Sequence, residues 1–259
     1  MRDYPQMAAM PNRIEPVPRR LRSYLNHRQV FDTTAAKYCW EVPYYPQYYI
    51  PLDDIDDSLL VDEQRQEKRP QGLAHRFGLR SGEQTRHGAV RVYHDDALRG
   101  LEGTARFAWP ALDAWYEEDE QVFVHPRSPY VRVDALRSSR SVRVELDGVV
   151  LAEAPTTVMV FETGLPTRYY LDRQSLRTEA LERSDTETAC PYKGTTSGYW
   201  SALTPRGVTK DVAWAYDFPT RQLLPIAGLV AFYNEKVDII LDGIRLQRPK
   251  THLVATSHP

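Results

Sequence analysis

Apolar and polar residues alternate in short runs along most of the chain, the period-2 pattern of strands with one face buried. Val142-Arg-Val-Glu-Leu-Asp-Gly-Val-Val-Leu-Ala-Glu153 reads as two strands around Asp147-Gly148, a dipeptide that tolerates the positive φ angles of a tight hairpin. Thr157 to Glu162, Arg168 to Leu171, Val208 to Tyr216 and Leu229 to Tyr233 read as further strands, and Val237 to Leu246 as a second Asp-Gly hairpin. Asp172 is placed to cap a short helix whose Leu176, Ala180 and Leu181 share a face, while the stretch from Pro219 to Pro225 holds at most one helical turn. Strands at this spacing, separated by turn residues, predict a mainly β protein with minor α content, built as a small tent or partly open barrel with short helices.

The pattern repeats. Leu21-Arg-Ser-Tyr-Leu-Asn-His-Arg-Gln-Val30 aligns without gaps on Val142-Arg-Val-Glu-Leu-Asp-Gly-Val-Val-Leu151, and the same offset of 121 carries Trp40-Glu41 onto Phe161-Glu162 and Tyr48-Tyr49-Ile50 onto Tyr169-Tyr170-Leu171. A second block pairs Val122-Phe-Val-His125 with Val230-Ala-Phe-Tyr233 and Val131 to Asp134 with Ile239 to Asp242, at an offset of 108. The difference implies an insertion of 13 residues in the first copy, near 58–90, with Asp62 to Pro70 as a solvated loop. The expected organisation is an extension over 1–18, a first copy over 19–136, a second over 137–250 and a tail over 251–259, with the crossing near Asp134 to Arg140. Two such copies would pack as a pseudo-twofold pair within one chain, either as a monomer or as part of a homo-oligomer.

Composition narrows the function classes. With 33 Lys and Arg against 35 Asp and Glu in 259 residues, no bulk positive field exists to hold a phosphate backbone, so nucleic acid is not expected as a partner. No window reaches the roughly 20 apolar residues of a membrane span, and the first residues lack the apolar run of a secretory signal, which points to a cytoplasmic protein with no membrane partner. Cys39 and Cys190 are the two cysteines and the seven histidines are scattered, which gives no disulfide framework and no metal or cofactor to expect. The chain carries 16 Tyr, 7 Phe and 5 Trp, a supply of rings suited to pocket walls and interfaces.

The second copy contains Cys190-Pro-Tyr-Lys-Gly194, then Tyr199-Trp200, Asp211-Val-Ala-Trp-Ala-Tyr216 and Ile226-Ala-Gly-Leu-Val-Ala-Phe-Tyr233, with Glu162 and Leu165-Pro-Thr-Arg-Tyr-Tyr170 upstream. In these motifs it resembles the domain-of-unknown-function 427 family, and the duplication extends the resemblance over nearly the whole chain. The resemblance implies a β-rich tent or barrel and no settled activity. A nucleotidyltransferase label sometimes accompanies the family, but the chain has no Gly-Ser dipeptide and no Gly-rich phosphate loop. Asp54-Ile-Asp56 has metal-site spacing yet lies at an expected helix start, where carboxylates complement the macrodipole. The first copy has His75-Arg-Phe-Gly78 where the second has its Cys-Pro-Tyr-Lys-Gly turn, so it is degenerate or differently specialised.

Each candidate residue admits two readings. Cys190 is a nucleophile whose thiolate Lys193 would stabilise, or a small buried hydrophobe. Glu162, and its first-copy counterpart Glu41, is a proton donor in a ring-lined pocket, or it pairs with an arginine such as Arg168. Arg168, Tyr170, Tyr192, Trp200, Trp214, Tyr216 and Tyr233 form a ligand cup or a core rich in rings. In the first copy Tyr49 matches Tyr170, and His125 and Arg127 form an anion-directed turn, or Arg127 pairs with an acid among Glu117 to Glu120. The leading expectation is a binding protein for a small molecule or a modified residue, through the second copy's aromatic pocket. A Cys190-dependent enzyme and a structural or partner-binding module are the alternatives.

Overall fold

The structure, a computed structural model, describes residues 10–251. The chain divides into two compact units at Pro129/Tyr130. The first unit contains β1 (Ile14–Pro16), β2 (Leu21–Leu25), β3 (Arg28–Thr33), β4 (Lys37–Cys39), β5 (Gln47–Pro51), β6 (Leu60–Arg69), β7 (Gly72–Ser81), β8 (Gln84–Tyr93), β9 (Thr104–Phe107), β10 (Ala114–Glu117) and β11 (Glu120–Val122). The second contains β12 (Val133–Ser138), β13 (Val142–Leu146), β14 (Val149–Ala154), β15 (Thr157–Glu162), β16 (Arg168–Leu171), β17 (Leu181–Ser184), β18 (Ala189–Cys190), β19 (Gly194–Thr195), β20 (Gly198–Thr204), β21 (Gly207–Ala215), β22 (Val230–Phe232), β23 (Asp238–Leu241) and β24 (Ile244–Arg245).

Both units repeat one topology. A seven-stranded sheet runs β1-β4-β5-β9-β8-β7-β6 in the first and β12-β15-β16-β22-β21-β20-β17 in the second. A four-stranded sheet runs β11-β10-β2-β3 and, in mirrored listing, β14-β13-β23-β24. The apolar faces of the two sheets meet, and neither unit closes into a barrel. The first core is filled by large rings, including Phe31, Trp40, Phe107 and Trp115, and the second by aliphatic side chains and small residues such as Ala152, Ala202 and Ala213. Both Asp-Gly hairpins form, with φ of +51° at Asp147 and Asp242 and +80° at Gly148 and Gly243.

The mainly β class with minor helix holds: helix makes up 9% of the described residues and is confined to 3-10 turns. Several other expectations change. Asp172 does cap one of the 3-10 turns, accepting from the Gln174 amide, but Arg173–Ser175 and Thr178–Ala180 remain separate turns. Asp54 and Asp56 lie around similar turns and are engaged by Thr33, Arg28 and Ser58. Asp62 to Pro70 is no loop: it lies mostly in β6, the sheet's outermost strand, where charged side chains on an exposed edge oppose strand addition.

The second repeat block is also reassigned. β22 occupies the place of β9, and β23 that of β10, so Val230 to Phe232 matches the segment around Ala105 rather than Val122. Short apolar runs are interchangeable in sequence; the sheet register distinguishes them, and the 13-residue insertion disappears with the old pairing. Val131 to Asp134 leads into β12, which pairs along its length with β15 and belongs to the second unit. The segment Asp134 to Arg140, expected as a crossing, looks polar because it is mostly an edge strand.

Candidate functional site

The Cys190 turn is the tip of a small hairpin, β18–β19, in which Cys190 pairs with Gly194. Three further bonds hold it: the Lys193 carbonyl accepts from the Thr220 amide at 3.0 Å, the Tyr192 carbonyl from the Thr220 hydroxyl at 2.6 Å, and the Thr188 carbonyl from the Thr196 amide at 2.8 Å. Gly194 sits at φ +99°, a left-handed backbone conformation that side chains rarely adopt, so the turn requires glycine. Clamped in this way, the hairpin turns Lys193 into the protein and leaves Cys190 half-buried.

There the Lys193 ammonium donates to Glu162 and lies 3.9 Å from the Cys190 sulfur. Burial pulls the ammonium toward deprotonation, but the Glu162 charge more than reverses this and holds its pKa above the ordinary lysine value. Lys193 is therefore a fixed cation. Glu162 pairs with it and not with Arg168, which instead forms a bidentate pair with Glu235 at 2.6 and 2.8 Å and donates to Asn234 at 3.2 Å. The sequence signalled neither Glu235 nor Asn234; both follow the Val230 strand in an unremarkable turn.

Beside this ion pair the rings Tyr170, Tyr199, Trp214 and Tyr216 pack with Val160 and Ile226 on the outer face of the seven-stranded sheet. The Trp214 ring NH donates to the Tyr170 hydroxyl at 3.2 Å, and the Trp214 and Tyr233 rings lie 4.3 Å apart. The Arg168 guanidinium sits 5.6 Å from both of those ring centroids. Tyr199 bridges the Tyr233 hydroxyl at 3.3 Å and the Thr188 hydroxyl at 2.8 Å. Burial raises the Tyr170 hydroxyl to about 12, against the pull of Lys193. Tyr170 is fully enclosed, so these rings form a filled floor with Tyr233 at its margin, and Tyr233 is half-exposed, as are Cys190 and Tyr192 in the hairpin.

Trp200 does not join them. It points to the opposite face of the sheet, against the inter-sheet core, with Arg173 5.8 Å from its ring. Strand alternation decides this, and the neighbouring Tyr199 takes the place expected for it. In the first unit Glu41 accepts from the Tyr49 hydroxyl at 2.9 Å and Arg106 at 3.2 Å, so the retained acid keeps a cationic partner in both units. His125 stacks on Tyr45 at 3.9 Å, and Arg127 lies 3.6 Å from both Glu117 and Glu120, the ion-paired reading of that turn. Arg69-Pro-Gln-Gly72, with Arg69 opposite Gly72, fills the hairpin tip held by Cys190 to Gly194, whereas His75 to Gly78 lies farther along β7. Among the described residues no cluster of His, Cys, Asp and Glu has the makings of a metal site, and no helix is long and apolar enough to cross a membrane. His252 and His258 lie outside the described residues.

The family model described as a domain of unknown function (DUF427) matches residues 13–118 and again residues 134–243. The chain belongs to the DUF427 family. Its two DUF427 segments coincide with the two units, and the boundary between the matches contains the division at Pro129/Tyr130. No curated protein matches the chain. Within the DUF427 frame, the buried Lys193 and the Cys190 turn are features of the second segment, and the first replaces them with Gln71, buried and bonded to Asn12 at 2.7 Å.

Proposed function

We propose that this is a cytoplasmic protein whose second unit binds a small molecule or a modified residue at the margin formed by Cys190, Tyr192 and Tyr233. The observation that carries the reading is the buried Lys193 ammonium, held between Glu162 and the Cys190 sulfur under a half-exposed turn. A buried ion pair adds little net stability compared with apolar packing, so its presence beneath an accessible thiol favours a role in recognition. The rings supply an apolar floor, and the Lys193, Cys190 and tyrosine hydroxyl groups supply the few polar contacts that orient a ligand.

The distance of 3.9 Å from Lys193 to the sulfur favours a second reading, a site that reacts through Cys190. There the Cys190 proton leaves to water, and the thiolate, facing the fixed cation, adds to the carbonyl carbon of a ligand aldehyde; the C=O π bond breaks, its electron pair moves to the oxygen, and that oxygen takes a proton from water to give a thiohemiacetal. Glu162 serves as counter-ion to Lys193 in this scheme.

Native mass spectrometry of the gently purified full chain tests the first reading. An adduct lost on denaturation and absent from Cys190→Ser or Tyr233→Ala supports it; a bare mass, or an adduct retained in both variants, overturns it. The reactive reading is tested by the iodoacetamide rate at Cys190. Lys193→Met should slow alkylation about tenfold. Because Lys193→Met strands Glu162, the double change with Glu162→Gln is measured alongside it, and an unchanged rate in both overturns the reactive reading.

A further inference from the structure

The sheet row that carries rings in the second unit carries arginines in the first. In the second unit Ser184 faces Tyr199, Tyr199 faces Trp214, Trp214 faces Ala231 and Ala231 faces Tyr170 across neighbouring strands. At the same register in the first unit Arg65 faces Arg76, Arg76 faces Arg91 and Arg91 faces Arg106. Four guanidinium side chains thus stand side by side on the outer face of β6, β7, β8 and β9, at strand intervals of about 4.8 Å.

Like charges directly opposite one another destabilise a sheet, so such a row needs compensation. Three carboxylates provide part of it. Glu67 accepts from Arg76 at 3.2 Å and from Arg91 at 3.1 Å, and the hydrogen bonds of Arg69 and Arg91 hold its carboxyl down at about 2. Glu63 takes Arg76 at 3.2 Å and Glu41 takes Arg106 at 3.2 Å. With Arg69, five arginines meet three carboxylates, leaving the face cationic.

The way the arginines are held leaves donors to spare. Arg91 and Arg106 each reach their carboxylate through Nε, so the two terminal nitrogens of each remain for another acceptor. Both side chains are partly exposed, at 24% and 16%. Gly88 contributes a cradle: an Arg76 terminal nitrogen occupies the place a Cβ would take there, so the absent side chain leaves room for that guanidinium over the backbone.

We propose that this arginine row is a binding site for a small molecule bearing two or more linked phosphates. Guanidinium forks match phosphate oxygens two by two, and a row of forks rewards several linked anionic groups over one. An acidic peptide fits the row less well, because same-face side chains of an extended strand recur at about 6.7 Å rather than 4.8 Å. The proposal is independent of the second unit's site.

The test is isothermal titration of the full chain with sodium tripolyphosphate and, separately, sodium orthophosphate at low ionic strength. Tripolyphosphate is expected to bind at least tenfold more tightly than orthophosphate, and to weaken tenfold or more in Arg91→Gln and as salt is raised. Arg91→Lys, which keeps the charge and loses the fork, should fall between, and a variant at the exposed Arg132 of the other unit should bind like the parent. Circular dichroism confirms that the Arg91 variants are folded. No heat with tripolyphosphate, equal affinity for both anions, or undiminished binding by folded Arg91→Gln overturns the proposal.

Discussion

At the residue scale, the two cysteines are separated by their surroundings. Cys39 is fully enclosed, and burial beside Glu41 raises its thiol to about 12. Against an ordinary thiol near 8.5, that leaves about a thousandfold less thiolate at pH 8. Peptide mapping after iodoacetamide should therefore find Cys190 alkylated while Cys39 stays unmodified until denaturant is added; modification of Cys39 in the native protein would contradict the enclosure. The Arg168–Glu235 pair supplies a second case, since both side chains are nearly inaccessible, at 6% and 4%. Removing one partner strands the other, and Glu235→Gln should lose about 3–5 kcal/mol of stability by urea denaturation. The equivalence of Glu41 and Glu162 was legible in the sequence, because a repeat exposes what both copies retain. Their partners were not, since Arg106 and Lys193 are brought in by sheet register and by a turn.

At the element scale, the Asp-Gly hairpins were readable because their turn chemistry is local. The Cys190 hairpin was readable as a turn, but its clamp to Thr220 depends on a distant loop. Gly194→Ala tests that clamp. With φ at +99°, a conformation strained for alanine, it should destabilise the hairpin by about 1–3 kcal/mol. Hydrogen exchange at the Thr196 and Thr220 amides should speed up while the inter-sheet strands stay protected; unchanged exchange would show that the clamp does not depend on this turn. The charged β6 was misread as a loop because an exposed edge strand has the composition of one, and Trp200 because adjacent rings in a strand face opposite ways.

At the scale of the whole molecule, the charge pairs set the pH window of stability. Glu67, held at about 2 by its arginines, stabilises the fold fully above the ordinary glutamate value near 4.3, and this contribution is lost as pH falls through 2. Burial raises the Glu235 carboxyl, but the Arg168 hydrogen bonds and charge outweigh it and leave it depressed, so its contribution fades in the same direction. Lys193 has the opposite sign: with its folded value raised, its contribution is complete below about 10.4 and declines at higher pH. Urea midpoints should hold between pH 5 and 9 and drop on both sides, with the alkaline drop diminished in the paired Lys193→Met, Glu162→Gln variant. A midpoint indifferent to alkaline pH in the parent would show that the buried ammonium contributes nothing to stability.

The contrast between the two cores bears on how the chain avoids misassembly. Tandem copies with one strand order can trade equivalent strands while folding, a hazard of repeated domains. Here β3, which carries Phe31, entering the second unit, or β14, which carries Ala152, entering the first, would meet the wrong partners. The first interior is shaped for Phe31, Trp40 and Trp115, and the second for Ala152, Ala202 and Ala213, so a hybrid would be overfilled or left with voids. Divergence of the interiors thus acts as a sorting code, in which side-chain volume rather than topology keeps each strand with its own half.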